Sequence, residues 1–146
     1  MTDQPATTRQ VLCPVAATLD VVGDRWTLLI IRDLLRGYSR FSQLQQSVEG
    51  ITTSMLSDRI KRLESEGVIE RQFYSDHPPR AEYILTSKGH GLGVVVGALS
   101  AWGEEFTEHD LTLISRDCGH HVMPVYQCPT CGVPVQKSRV RIVEVD

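Results

Sequence analysis

The residues best able to do chemistry in this 146-residue chain are four cysteines and a pair of adjacent histidines, most of them near the C-terminus. Cys128-Pro129-Thr130-Cys131-Gly132 has the two-residue gap of a zinc-holding turn, and Cys118 and His121 repeat that gap just upstream. A hairpin through Val122 to Gln127 could close a tetrahedral set of Cys118, His121, Cys128 and Cys131, with His120 as a substitute for His121. The expected occupant is one structural zinc ion per chain, because four protein ligands leave no open position for catalysis. A metal-free hairpin, or a reversible disulfide among Cys118, Cys128 and Cys131, fits the same residues. Cys13 stands apart, before Pro14 at the start of a helical pattern, where the helix dipole could make its thiol reactive. It is also suited to be a small buried hydrophobe at an interface, so redox sensing and packing are both open readings.

A second group of residues suits binding rather than catalysis. On a helix beginning at Thr53, the residues Leu56, Ile60 and Leu63 share one stripe, and Ser54, Ser57, Asp58, Lys61 and Ser65 share the opposite face. Short hydroxyls at a helix N-terminus, beside backbone amides that attract anions, fit a surface pressed against phosphates and base edges. Thr53, Ser54 and Ser57 are therefore expected to seat this helix in a major groove, with Lys61 and Arg62 on phosphates and Arg59 flanking them. Arg40 at the start of the preceding helix, and His77 and Arg80 at a downstream hairpin tip, complete the candidate set. The plain alternative is an amphipathic helix with a solvated face, which Asp58 favours slightly. There is no Gly-rich phosphate loop or nucleophile elbow, so no enzyme is expected.

The elements that must position these groups follow from periodicity and punctuation. Residues 1–11 are polar and aperiodic and read as a mobile arm. A short helix spans Cys13 to Val22, and Asp24 caps a second, largely apolar one that Gly37 stops. Ser39 caps a third helix whose Phe41, Leu44 and Val48 face inward. After the tight Glu49-Gly50-Ile51 connection, Thr52 or Thr53 caps a fourth helix that ends at Gly67. Val68–Tyr74 and Ala81–Thr86 flank a turn from Ser75 to Arg80 and read as a hairpin. A terminal helix from Ser87 to near His109 carries Leu92, Val95, Val96, Leu99, Trp102 and Phe106 on one face. Two short helices joined by a three-residue turn and followed at once by a hairpin make a winged helix-turn-helix, within a mainly α (α+β) chain. The division is an arm (1–11), a winged-helix domain (12–110) and a Cys/His appendage (111–146) ending in a small Cys-rich hairpin.

Composition sets the remaining bounds. Hydrophobic residues at 41% and charged residues at 23% match soluble globular chains. No apolar run reaches bilayer length and the first ten residues lack a signal-peptide pattern, so a cytoplasmic protein with no membrane partner is expected. A net charge of −3 argues against nucleic acid, but the distribution matters more. From Asp24 to Gly91 there are ten Lys/Arg against nine Asp/Glu, and elsewhere five against nine, so the acidic excess lies outside the helix-turn-helix. The alternative to a DNA-binding regulator is a winged-helix protein-interaction module with a structural zinc knuckle.

An ordered series of residues resembles the HxlR family. It comprises Cys13-Pro14, Gly23-Asp24-Arg25-Trp26-Thr27, Arg40-Phe41 with Leu44, Gly50-Ile51 with Leu56 and Arg59, Leu63-Glu64, Gly67, and Pro78-Pro79-Arg80-Ala81-Glu82-Tyr83 with Leu85-Thr86 and Gly89. The likeness runs from about Cys13 to Gly103 and is specific because so many positions recur in order. It implies a homodimeric winged helix-turn-helix transcriptional regulator with a MarR-like fold, acting on an inverted-repeat operator in double-stranded DNA. Its dimer would form through the first and last helices, and some members of the family sense oxidants through the cysteine aligned with Cys13. Gly89, Gly91, Gly93 and Gly97 would then serve close packing between protomers. Asp24-Arg25 departs from the more usual Gly-Lys and reads as capping and surface variation. A small-molecule effector pocket between the dimer helices and the core is compatible with the same apolar residues.

Overall fold

The computed structural model describes residues 12–145, so the arm expected over residues 1–11 lies outside the described residues. Six helices and two small hairpins follow in order: α1 (Pro14–Val22), α2 (Thr27–Leu35), α3 (Phe41–Ser47), α4 (Thr53–Ser65), β1 (Ile69–Asp76), β2 (Pro79–Leu85), α5 (Ser87–His90), α6 (Gly93–Phe106), β3 (Tyr126–Gln127) and β4 (Pro134–Val135), with a 3-10 turn at Lys137–Arg139. The architecture is a mixed α+β winged helix-turn-helix.

The core forms where the apolar stripes of α2, α3 and α4 meet the base of the hairpin. Ile30, Ile31, Leu44, Leu56, Ile60 and Leu63 are buried, with Val68 and Ile69 closing the end. Each such side chain is worth about 1.5–3 kcal/mol of transfer free energy, so this cluster supplies most of the drive to hold α4 in place. Thr52 caps α4 by accepting from the Met55 amide at 3.2 Å. The helix stops in a Schellman arrangement, in which the Gly67 amide donates to Glu64 O and the Val68 amide to Leu63 O. That closure needs the left-handed φ of +71° at Gly67, which a residue without Cβ adopts readily.

Several boundaries differ from the sequence expectation. Ser39 does not cap α3. Arg40 occupies the cap position, the Gln43 side chain accepts from the amides of Ser39 and Arg40, and Ser39 O accepts from the Tyr83 amide at 2.7 Å, which ties the hairpin to the helix-turn-helix. The strands run past Tyr74 to a shorter turn, with a bulge between Phe73 and Ser75, so Arg80 sits on β2 paired with Ser75 rather than in the turn. The single terminal helix is two, α5 and α6, and it ends at Phe106 rather than near His109.

The break has a local cause. A Cβ at Gly89 would stand 2.1 Å from Val68 O, so α5 lies directly on the chain that leaves α4. The glycines of this region therefore serve contacts inside the chain: Gly93 faces Leu35, and Gly97 faces Leu113 and Pro124. The apolar face foreseen for the terminal helix also divides. Leu92 and Val96 pack against the core, whereas Leu99, Trp102 and Phe106 are exposed.

Candidate nucleic-acid interface

The polar face of α4 is built by the same periodicity that buries its other side. Thr53, Ser54, Asp58 and Lys61 are exposed and Ser57 is half-buried, while Leu56, Ile60 and Leu63 anchor the helix from behind. Lys61 forms no ion pair among the described residues and keeps its charge available to solvent. His77 and Arg80 are exposed near the end of the β1–β2 hairpin. Of the sequence-derived set, Thr53, Ser54, Lys61, His77 and Arg80 are exposed, as are Arg40 and Arg62, and Ser57 is half-buried.

Arg40, Arg59 and Arg62 are drawn into contacts within the chain. Arg59 Nε lies 3.0 Å from Asp24 Oδ1, and Arg62 donates to the carbonyl of Asp20 at the end of α1. Arg40 Nε is 3.5 Å from Glu82 Oε1, and its guanidinium lies 4.7 Å over the Tyr74 ring. Arg59 and Arg62 thus make contacts with the α1–α2 turn and with α1, and Arg62 stays exposed. Arg40 ties the start of α3 to the hairpin.

Asp24 does more than cap. One oxygen accepts from the amides of Trp26 and Thr27 as well as from Arg59, and the other accepts from the Thr27 hydroxyl. Burial pushes its carboxyl up, but the hydroxyl, the Trp26 amide, Arg59 and the Thr27 amide together outweigh this and hold it below its ordinary value. The stabilisation is present above the ordinary carboxylate range and is lost as the pH falls through the depressed value. Arg59 marked α4 as basic in the sequence. That its partner lies 35 residues earlier was not readable there.

The tail cysteines are arranged differently from the expected ligand set. Among the described residues no three His, Cys, Asp or Glu side chains converge on a point that could hold a metal ion, so Cys118, His121, Cys128 and Cys131 are not assembled as a tetrahedral site. The reason lies in two similar turns. In Cys128–Gly132 the Cys131 amide donates to Cys128 Sγ at 3.4 Å and the Gly132 amide to Cys128 O at 2.8 Å. In Ser115–Gly119 the Cys118 amide donates to Ser115 Oγ at 3.4 Å and the Gly119 amide to Ser115 O at 2.9 Å. The turn partner of Cys118 is therefore a serine, and His121 lies outside the turn, with its Nε2 2.9 Å from Glu104 Oε2 of α6. The Ser115 hydroxyl and His120 amide hold the Cys118 thiol below its ordinary value, and the Cys131 and Thr130 amides do the same for Cys128. Both are free thiols held in local hydrogen-bonding turns. Cys13 is exposed at the N-cap of α1.

Two acidic residues escaped the sequence reading. Glu104 Oε2 lies 2.9 Å from His121 Nε2 and so ties the segment after α6 to that helix, and His121, the Thr112 hydroxyl and the Leu113 amide hold its carboxyl below its ordinary value. Asp33 is wholly buried within α2 yet bound by Arg32 at 2.8 and 3.0 Å and by Arg36 at 3.2 Å. An acid inside the apolar run Leu28–Leu35, flanked by arginines at i−1 and i+3, was the available signal.

A family model for the HxlR-like helix-turn-helix matches residues 21–111. An uncharacterised HTH-type transcriptional regulator of Mycobacterium tuberculosis is 36% identical over 130 residues, covering 86% of this chain and 82% of that protein. The uncharacterised HTH-type regulator YvaP of Bacillus subtilis is 37% identical over 98 residues, 66% of this chain and 91% of its own. Among solved structures, the transcription factor PA1607 superposes with a TM-score of 0.78 at 33% identity, over 93% of this chain and 97% of that one. The reduced form of the redox regulator HypR superposes with a TM-score of 0.60 at 34% identity, over 64% and 92%.

Proposed function

The chain belongs to the HxlR-like family of helix-turn-helix transcriptional regulators, and we propose that it acts as a cytoplasmic homodimer on inverted-repeat operators in double-stranded DNA. The observation that carries this reading is α4, which is fixed from behind by Leu56, Ile60 and Leu63 and keeps a hydroxyl-rich N-terminal face and Lys61 exposed. Thr53, Ser54 and Ser57 seat the helix against base edges and sugars, Lys61 holds a phosphate, and His77 and Arg80 reach the flanking backbone or minor groove. Arg40, Arg59 and Arg62 act as positioning residues that set the angle of α3, α4 and the hairpin. In a dimer the two α4 helices would read half-sites about one helical turn apart.

Lys61→Ala tests the interface. Binding to every duplex is expected to weaken alike, and the slope of log affinity against log salt to flatten by about one unit, as loss of one phosphate contact requires. Unchanged affinity and slope would remove Lys61 from the interface. Absence of any duplex binding at about 0.15 M salt, where nonspecific contacts are screened, would favour the protein-docking alternative.

We also propose a redox input at Cys13. It is supported by its exposure at the N-cap of α1 and by the likeness to a protein named as a redox regulator. Cys13→Ser is expected to bind DNA normally in reducing buffer and to lose any release of DNA by peroxide. Release that persists in this variant would move the sensor to Cys118, Cys128 or Cys131.

A further inference from the structure

Between α2, α6 and the Leu111–Arg116 segment lies a cavity of about 590 Å³. That is far larger than the packing gaps of a protein core and falls within the range of small-molecule pockets, about 300–1,000 Å³. Its walls are apolar, with Leu29 and Leu35 of α2, Val96 and Leu99 of α6, and Leu111 and Leu113 of the segment that Glu104 clasps to α6. The polar lining comes from Arg32, Arg36 and Arg116, with the hydroxyl residues Ser100 and Thr112 beside them.

The charges beside this space are unequal. Asp33 lies buried against Arg32 and Arg36 and neutralises one of the two. Among the described residues Arg116 donates only to the backbone carbonyl of Leu35, at 3.3 Å, and no carboxylate meets it. Glu104 of α6 is already paired with His121 at 2.9 Å. Three guanidinium groups against one carboxylate leave two positive charges beside an apolar space. Guanidinium groups pair with planar oxyanions through forked, charge-assisted hydrogen bonds.

We propose that this cavity binds a small organic carboxylate, with its apolar body between α2 and α6 and its charged end at Arg116 and Arg36. One wall belongs to the segment after α6, so the C-terminal appendage completes a site that the helix-turn-helix alone would leave open. α6 carries the exposed face suited to a partner protomer, and α2 packs within the same core as α3 and α4. Occupancy therefore favours one setting of the helix-turn-helix relative to α6. That regulatory consequence rests on the DNA-binding reading, whereas ligand binding itself does not.

The test is calorimetric titration of the full chain, without DNA, using decanoate below its micellar range and 1-naphthoate, with decyltrimethylammonium as the cationic control. Saturable binding of at least one carboxylate at one per chain is expected, with the cation at least about 10-fold weaker. Arg116→Gln should weaken the carboxylate by about 10-fold, as loss of a charge-assisted bond implies, and Ser100→Leu should fill the cavity and abolish binding. The proposal is overturned if neither carboxylate binds saturably, if the cation binds as tightly, or if both variants bind as the parent does. The last result would place the probe on the exposed face of α6. All of these readouts are independent of operator DNA, so their failure leaves the regulator reading intact.

Discussion

Trp102→Asp combined with Phe106→Asp is expected to leave a folded monomer that has lost about 100-fold or more in operator affinity. Both rings are more than 60% exposed although they lie in an apolar helix, and they stack on each other at 5.0 Å between centroids. Leu99 extends the same patch on α6, and Val15 and Leu19 of α1 are also more than half exposed. Monomeric proteins seldom expose contiguous apolar surface on this scale, and a stable dimer typically buries about 1,200–2,000 Å² in all. A carboxylate at each position would have to be desolvated against the partner's apolar face, which costs several kcal/mol without a compensating bond. If the proposed dimer reads two half-sites, separated protomers would each bind one alone and lose the gain from linked binding, about 10²–10⁴-fold. Sedimentation velocity reads the mass, circular dichroism the fold, and fluorescence anisotropy the DNA affinity. A variant that remains dimeric would place the interface elsewhere.

Gly89→Ala is expected to destabilise the chain by about 3 kcal/mol or more, a lowering of Tm of roughly 10 °C for a domain of this size. The added methyl would stand 2.1 Å from Val68 O and 2.9 Å from a Leu85 methyl, and the first of these is backbone that cannot rotate away. Relief requires α5 to lift from the β1 entrance. That would break the Thr86 hydroxyl bridges to Gly67 O, at 2.6 Å, and Val68 O, at 3.1 Å. Gly97→Ala is the matched control, because its methyl would meet only the side chains of Leu113 and Pro124, at 3.6 and 3.9 Å. Thermal melts of the two variants should differ by most of the predicted shift. Equal melts would mean that α5 is free to move, and that its contact with Val68 contributes little.

The elements that follow local rules were readable before any coordinates. The stripe of Leu56, Ile60 and Leu63, the Thr52 cap and the Gly67 stop are set by spacing within one helix, and they place the hydroxyl face of α4 without reference to the rest of the chain. Asp24 as a cap was legible for the same reason, since its acceptors serve amides two and three residues ahead. The hairpin was legible as an element but not in its turn, because the bulge at Tyr74 shifts the register without leaving a mark in composition.

What the chain's order and composition settle, then, is the family, the helix-turn-helix and the face that α4 offers. Tertiary structure alone decides which cations acquire partners within the chain. Arg59 and Arg62 look equivalent to Lys61 along the helix, yet groups 35 and 42 positions away bind the two arginines, whereas Lys61 has no ion-pair partner among the described residues. It likewise decides that Ser115, not His121, is the turn partner of Cys118, that Gly89 serves a contact inside the chain, and that three arginines surround an apolar space with a single carboxylate between them. Periodicity reports which way a side chain points from its own element. Which group it then meets depends on loop closures and packing between segments far apart in the chain, and a local pattern carries no record of these.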